Sequence, residues 1–303
     1  MLPFARVSII GLGLIGSSIA RAVRDAMPTV RLTGHDADPD VREAVRALGL
    51  CDDVADQAGA AVTDADLVIL CVPVGAIGAA AAEIADDLPA EAVVTDVGSC
   101  KAAPARAMAD ALPPGQAIVP AHPVAGTERS GPEAGFASLF HGRWCIVTPT
   151  DRSPEPAVER VAEFWRRLGA MVEVMDPDHH DRVLAVTSHL PHLIAYTIVG
   201  TASDLEEVTR SEVIKYSAGG FRDFTRIAAS DPTMWRDVFL QNREAVLDML
   251  QRFSEDLMTL QRAIRWGEGD ALFDLFTRTR AVRRSIVEQG QDDAREDFGR
   301  SHV

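Results

Sequence analysis

An α/β half followed by an all-α half is the architecture this 303-residue chain predicts. Three observations carry that expectation. From residue 6 to about 176, short apolar, β-branched runs alternate with Ala-rich helical stretches, the pattern of βαβ units and a mainly parallel sheet covered on both faces. The first apolar run feeds directly into a glycine-rich turn that opens a helix. Beyond Asp176-Pro177 no further strand-like run occurs, and the remainder reads as helix.

Taken in order, Val7-Ser8-Ile9-Ile10 is the first strand, with a helix over 17–23 behind the turn. A strand over 31–35 precedes a helix over 41–48, and Leu67 to Val72 forms a strand stopped by Pro73. A helix over 76–88, a strand over 92–95, a helix over 102–112 and a strand over 117–120 follow. The last strands fall at 144–147 and 171–175, flanking a helix near 158–168. In the all-α half, Asp231-Pro232 is an N-cap with proline at the first helical position. Apolar residues at alternating steps of three and four from Trp235 to Ile264 then predict one helix from Pro232 to about Trp266, roughly 50 Å long. So long a helix suits either a subunit interface, hence a homodimer, or a long intradomain packing role. The chain therefore reads as a first domain over 1–176, a helical domain over 177–288 and a polar, unstructured tail over 289–303.

Hydrophobic residues make up 47% and charged residues 25%, which is ordinary for a soluble globular protein, while the net charge of −15 argues against nucleic acid and anionic membranes as partners. No apolar run approaches the ~18 residues of a membrane span, and the start Met1-Leu2-Pro3-Phe4-Ala5-Arg6 does not resemble a signal peptide. The four cysteines are scattered without a Cys-x-x-Cys pair, which points to a reducing cytoplasm. Lys101 and Lys215 are the only lysines.

Gly11-Leu12-Gly13-Leu14-Ile15-Gly16 lies between a strand and a helix, where glycines permit close backbone approach to a pyrophosphate at the helix N-terminus. Asp36 stands twenty residues beyond Gly16 at the end of the second strand, placed for the ribose hydroxyls of NAD. Asp38 follows and no arginine adjoins, so NAD is expected over NADP. The first domain is thus a Rossmann-type dinucleotide-binding domain, with Gly11, Gly13, Leu14, Ile15, Gly16, Asp36, Val72 and Pro73 along the cofactor edge.

The same edge carries Asp96-Val97-Gly98-Ser99 and, where the run Ala117-Ile118-Val119-Pro120 gives way to a Gly-rich turn, His122. A neutral imidazole there can accept a proton from a substrate hydroxyl as hydride leaves. Ser99 can orient that imidazole or the hydroxyl, or it can cap the helix that begins near Ala102. In the helical half, His189 and His192 share a helix face. They have no third ligand at obvious spacing, so no metal is expected. The stretch from Gly219 to Ala228 reads as irregular and offers Arg222 and Arg226, either of which can clamp a carboxylate.

Together these motifs resemble the prephenate and arogenate dehydrogenase family of tyrosine biosynthesis. The anchors are the Gly11 to Gly16 turn, Asp96-Val97-Gly98-Ser99-Cys100-Lys101, His122-Pro123-Val124-Ala125-Gly126-Thr127-Glu128, Ser188-His189-Leu190-Pro191-His192, and the run from Gly219 through Trp235. The resemblance implies an NAD-dependent oxidative decarboxylation of a cyclohexadiene substrate by a protein that dimerises through its helical domain. It implies His122 and Ser99 as catalytic, with Arg226, His189, His192, Thr127, Glu128 and His180 binding the substrate. Neither a fused chorismate mutase nor a regulatory domain after Glu288 is expected. Two other readings remain at this stage: a different two-domain NAD-dependent hydroxyacid dehydrogenase, whose relatives use a catalytic lysine, and a non-catalytic NAD-binding sensor.

Overall fold

The computed structural model describes residues 2–127, 129–204, 212, 215–216 and 219–288. By contacts the chain falls into two compact units, 1–247 and 248–303.

The first unit is organised by six parallel strands in the order β3-β2-β1-β4-β5-β6. They are β1 (Arg6–Ile10), β2 (Arg31–His35), β3 (Asp53–Val54), β4 (Leu67–Leu70), β5 (Val93–Asp96) and β6 (Ala117–Ile118). Side chains alternate across the strands, so the sheet has two buried faces. Ile9, Leu32, Leu67 and Ile69 pack with α1 (Leu14–Ala26) and α6 (Glu155–Arg167) on one face. Ile10, Val68, Leu70 and Val94 pack on the other with α3 (Ala58–Val62), α4 (Ile77–Ile84) and α5 (Ala102–Ala111). The remaining helix of this part, α2 (Pro39–Leu48), is capped by Asp38. Strand order reverses between β1 and β4, which puts the ligand crevice at the carboxyl ends of the strands.

Two short elements, β3 and α3, go beyond the sequence expectation because neither is long enough to show a period. The strand expected over 117–120 is a crossing between two sheets. Val119 N still donates to Val94 O of β5, but Pro120 has no N–H to continue that ladder, and its carbonyl accepts from Thr148 N. The chain then enters a second sheet, β7 (Ala121–Pro123) antiparallel to β8 (Trp144–Val147), which runs parallel to β9 (Met171–Val174). His122 is therefore a strand residue opposite Ile146, not a turn residue.

The helical half begins with a rod of three segments: α7 (Pro177–Leu184), a π turn (Ala185–His189) and α8 (Leu190–Ser203). Pro191 cannot donate to the fourth residue before it, and the wider turn just ahead of it accommodates that loss. By length and composition this rod passes as a membrane-crossing helix, contrary to the sequence expectation that no such run exists. Its inner side carries His180, Asp181 and His189, all buried.

The stretch from 219 is helical rather than irregular: α9 (Gly219–Thr225) runs into a 3-10 turn (Arg226–Ala229). Asp231 accepts from Met234 N and caps α10 (Pro232–Gln241), as its sequence requires. The single helix expected from Pro232 to Trp266 is in fact two, α10 and α11 (Arg243–Trp266), separated at Asn242. Asn242 is buried, and its amide nitrogen donates to Asp181 O at 2.8 Å and to His189 Nδ1 at 3.0 Å. Those tertiary bonds outweigh the helical propensity of the run. Trp235 and Val238 of α10 pack into the α3–α5 face of the sheet, which is why the first contact unit extends to Leu247.

In the second unit, the rest of α11 is followed by α12 (Gly269–Glu288), with Gly267 in the left-handed region at φ 69°.

Lys101 is fully buried, its Nζ bonded to an Asp96 carboxylate oxygen and, at 2.7 Å, to the Ala121 carbonyl. Lys101→Met would leave the Asp96 charge buried without its counter-ion, held only by the Gly98 amide at 2.9 Å. It should lower the unfolding free energy by about 3–5 kcal/mol, read from denaturant titration. The double variant Asp96→Asn/Lys101→Met should recover part of that loss, and equal losses in the two proteins would contradict the pairing.

Candidate active site

The site is built on strand ends and one rod of helix. Gly11 follows β1 at φ 97°, with Cys71 O and the start of Val72 where a side chain would go. A Cβ on Gly16 would run into the Gly11 carbonyl. At Gly13 a Cβ would meet nothing within 4 Å, so open space lies over the turn. The N-terminus of α1 has no side-chain cap and no acidic residue in its first turn, leaving its amides for an anion. Asp36 lies alongside, its Oδ2 accepting from Leu12 N at 2.7 Å and its Oδ1 from Asp38 N at 3.0 Å. This cradle fits the pyrophosphate and adenosine ribose of NAD. An arginine does reach this corner: Arg42 Nη1 bonds the Asp36 and Ala37 carbonyls, and Arg42 pairs with Asp56. It is thus committed to main chain and a carboxylate. Val72 is half-buried and Pro73 exposed on the same edge.

His122 is 7% exposed. In β7 its neighbour Ala121 points into the sheet core, so His122 points the other way. There its Nδ1 lies 2.8 Å from Nε2 of His180, the rings meeting edge to face at 5.1 Å. His180 Nδ1 lies 2.8 Å from Asp181 Oδ1. Asp181 in turn accepts from two amides at the start of α5, Lys101 N at 2.8 Å and Ala102 N at 3.0 Å. No side chain of α5's own neighbourhood caps that helix, so the role considered for Ser99 belongs to Asp181. Ser99 is half-buried beside this turn, and no described hydrogen bond joins it to His122.

Burial disfavours the charged form of every histidine here. It holds His122 well below the ordinary histidine range, helped by the neighbouring His180, Lys101 and His189. His180 is also lowered by burial, although the Asp181 hydrogen bond opposes the shift. Burial carries His189 down to about 4. Burial raises Asp181, but the His180 and amide hydrogen bonds outweigh it and the carboxyl ends below its usual value. His122 is therefore a neutral imidazole, and Asp181 an ionised acceptor, at neutral pH.

The structure separates the other expected site residues. His189 is fully buried, bonded to Asn242, and beneath the surface rather than on it. His192 is half-buried, stacked on Trp235 at 3.6 Å between ring centres, with Nδ1 bonded to Ser188 O at 2.9 Å. Arg226 is exposed at the head of the 3-10 turn that packs on α8, close enough for its charge to add to the lowering that burial imposes on His192. Arg222 is exposed on α9 and Thr127 is exposed, its hydroxyl accepting from Arg129 N. Glu128 lies outside the described residues, as does the tail expected over 289–303. Among the described residues no group of three or more potential ligands gathers to hold a metal ion. Sequence reasoning missed Asp181, Asn242, Trp235 and the structural use of Lys101. The buried pairing of polar types with distant partners leaves no periodic trace.

A family model described as the prephenate dehydrogenase nucleotide-binding domain matches residues 19–174, and one described as the prephenate dehydrogenase dimerization domain matches 176–278. The chain is 44% identical over 286 residues to a cyclohexadienyl dehydrogenase of Zymomonas mobilis, covering 94% of this chain and 97% of that one. It is 34% identical over 281 residues to a prephenate dehydrogenase of Bacillus subtilis, covering 92% and 76%. Among solved structures, a prephenate dehydrogenase of Aquifex aeolicus in complex with hydroxyphenyl propionate and NAD+ superposes with a TM-score of 0.87 at 33% identity, covering 94% of this chain and 98% of that one.

The buried histidines set a pH dependence of stability. Above about pH 6.5 neither folded nor unfolded histidine holds the extra proton. Below it the unfolded state takes up protons that buried His122, His180 and His189 refuse, in the case of His189 until about pH 4. Stability should therefore fall as pH drops through this window, by up to about 1.4 kcal/mol per pH unit for each such histidine. Urea midpoints measured between about pH 7 and pH 5 should decline, and a flat profile would contradict the neutral burial.

Proposed function

The chain belongs to the prephenate dehydrogenase family, and from that footing we propose how its residues divide the work. The protein is an NAD-dependent oxidoreductase that oxidatively decarboxylates prephenate, arogenate or both, giving 4-hydroxyphenylpyruvate or tyrosine. The observation that carries the reading of this chain is a neutral, buried His122 on the same edge as an open glycine cradle and Asp36.

Gly11, Gly13, Leu14, Ile15, Gly16, Asp36, Val72 and Pro73 would hold NAD, which when bound supplies the acceptor for the hydride from C4 of the ring. His122 Nε2, which no described protein group bonds, takes the proton of the C4 hydroxyl as that hydride leaves. The bond from the ring to its carboxylate then breaks, CO₂ departs, and the electron pair aromatises the ring to a phenolate. His122 returns the proton to that oxygen, so the histidine ends as it began. Ser99 and Thr127 line the reacting end, and His192 and Arg226 the carboxylate end of the substrate; Glu128 is assigned with Thr127 by its motif alone. His189, having no exposed surface, supports the wall behind them.

The proposal also includes a domain border at Asp176–Pro177, supported by the meeting of the two family models there. It includes a homodimer through α11 and α12, supported by exposed Leu257, Ile264, Trp266, Phe273 and Phe276 on those helices. Four free cysteines suit a cytoplasmic setting.

The purified protein should form NADH from prephenate, arogenate or both. His122→Asn should lower kcat by about 10²–10⁴-fold with NAD affinity nearly unchanged, and a kcat close to wild type would remove His122 from this role.

Arg226→Ala should raise KM for the cyclohexadiene roughly 10- to 100-fold, the worth of a hydrogen bond to a charged group, and leave KM for NAD alone. Arg226→Lys should restore part of it, because an ammonium lacks the bidentate fork. Steady-state kinetics with each substrate varied in turn decides. An unchanged KM in the alanine variant would move the clamp to Arg222.

A further inference from the structure

Three buried side chains, Asp181, His180 and His122, stand in a single hydrogen-bonded row that ends at the candidate base. The row runs in one direction only. Asp181 is ionised and so can only accept; its oxygens already take two amide protons from Lys101 and Ala102. The group facing Asp181 Oδ1, Nδ1 of His180, therefore donates. A neutral imidazole has one N–H, so His180 Nε2 is bare and accepts. The group facing it, His122 Nδ1, therefore donates in turn. By the same count His122 Nε2 is left bare. Each ring's tautomer is fixed by its neighbour, and the start of the row is fixed by the amides of a helix N-terminus.

Resting on the reading of His122 as the base, we propose that His180 and Asp181 are positioning residues that act through His122. They hold its imidazole in the one tautomer whose Nε2 can take a substrate proton. His180 is not a substrate-binding residue: its side chain has no exposure, and both ring nitrogens are used inside the row. When His122 takes up the substrate proton at Nε2, its Nδ1–H continues to donate to His180, and the resulting charge faces a row that ends in a carboxylate. Without the row, a buried neutral imidazole divides between two tautomers, one of which carries a proton at the position that must be empty.

The proposal separates from a substrate-binding role by the way kcat and KM respond. His180→Leu removes the acceptor for His122 Nδ1. It should lower kcat at least 10-fold while changing KM for the cyclohexadiene and for NAD less than about threefold, since nothing that touches either molecule is lost. His180→Gln can accept from His122 with its carbonyl and donate to Asp181 with its amide, and it should recover most of kcat. Nitrogen NMR of selectively labelled histidine should show His122 protonated at Nδ1 and bare at Nε2 in the wild type and in His180→Gln, and a mixture of tautomers in His180→Leu. A raised KM with unchanged kcat in His180→Leu would overturn the proposal in favour of substrate contact, and wild-type kinetics in that variant would overturn it outright. An NMR signature of Nε2–H in the wild type would also overturn it. His122→Asn, measured alongside, tests the base assignment itself: if that variant retains kcat, the base is elsewhere, and the tautomer measurement still decides whether the row orders His122. Should His180→Leu not fold, His180→Gln and the wild-type NMR carry the decision.

Discussion

The carboxylate of Asp181 is the constraint on which the site depends. A buried charge without partners costs several kcal/mol, so the fold supplies this one with donors from three directions. Two are the first amides of α5, groups every helix leaves unpaired at its start. The third is His180. Charge-assisted hydrogen bonds of this kind contribute about 1.5–3 kcal/mol each, so the three together offset much of the cost of burying the charge. Satisfying Asp181 therefore fixes where α5 begins, hence the turn that carries Ser99, and simultaneously fixes the ring that orders His122. A single side chain on the helical rod thus couples the end of β5 to the end of β7.

A second buried charge works from the opposite side. Lys101 begins α5, and its main-chain N–H serves Asp181 while its ammonium holds Asp96 and the carbonyl just before His122. The two buried ions are thus joined through one residue. Around them the shell is apolar enough to keep three histidines neutral. That environment opposes stability in acid and keeps the imidazole of His122, the proposed base, unprotonated below the ordinary histidine range. The same desolvation produces both effects, so they cannot be tuned apart.

Much of this fold is written locally. The Gly11 to Gly16 turn, the carboxylate of Asp36, the alternation of strands and helices and the Asp231-Pro232 cap each act over a few residues, and the structure forms them as the sequence requires. His122 could be singled out because its motif is contiguous. Of the residues that organise it, His180 enters the sequence reading only through the family resemblance, as a substrate-binding residue, and Asp181 not at all. His180 and Asp181 lie on another element, and helical periodicity reports which face of an element is buried without naming what it meets. Asn242 sits in a run with good helical periodicity, and only its bonds to Asp181 and His189 explain why the helix divides there. His189 and His180 are nine residues apart, about two and a half turns of regular α-helix, which would set them on opposite sides. The π turn just before Pro191 shifts the phase by about one residue, and both are buried on the inner side.

The crossing at Val119-Pro120 is the step that brings the histidine proposed as the base to the helical rod. Had β6 simply continued, residue 122 would extend the edge strand of the parallel sheet. A proline that cannot donate breaks the ladder, and the chain passes into β7, where two-residue alternation sends Ala121 into the core and His122 toward the helical rod. The backbone there is held from both sides, by the antiparallel pairing with β8 and by the Lys101 ammonium on the Ala121 carbonyl. The imidazole is then held at Nδ1 by His180. Main chain and ring are thus both held before any substrate arrives, the preorganisation on which the proton transfer proposed for His122 would draw.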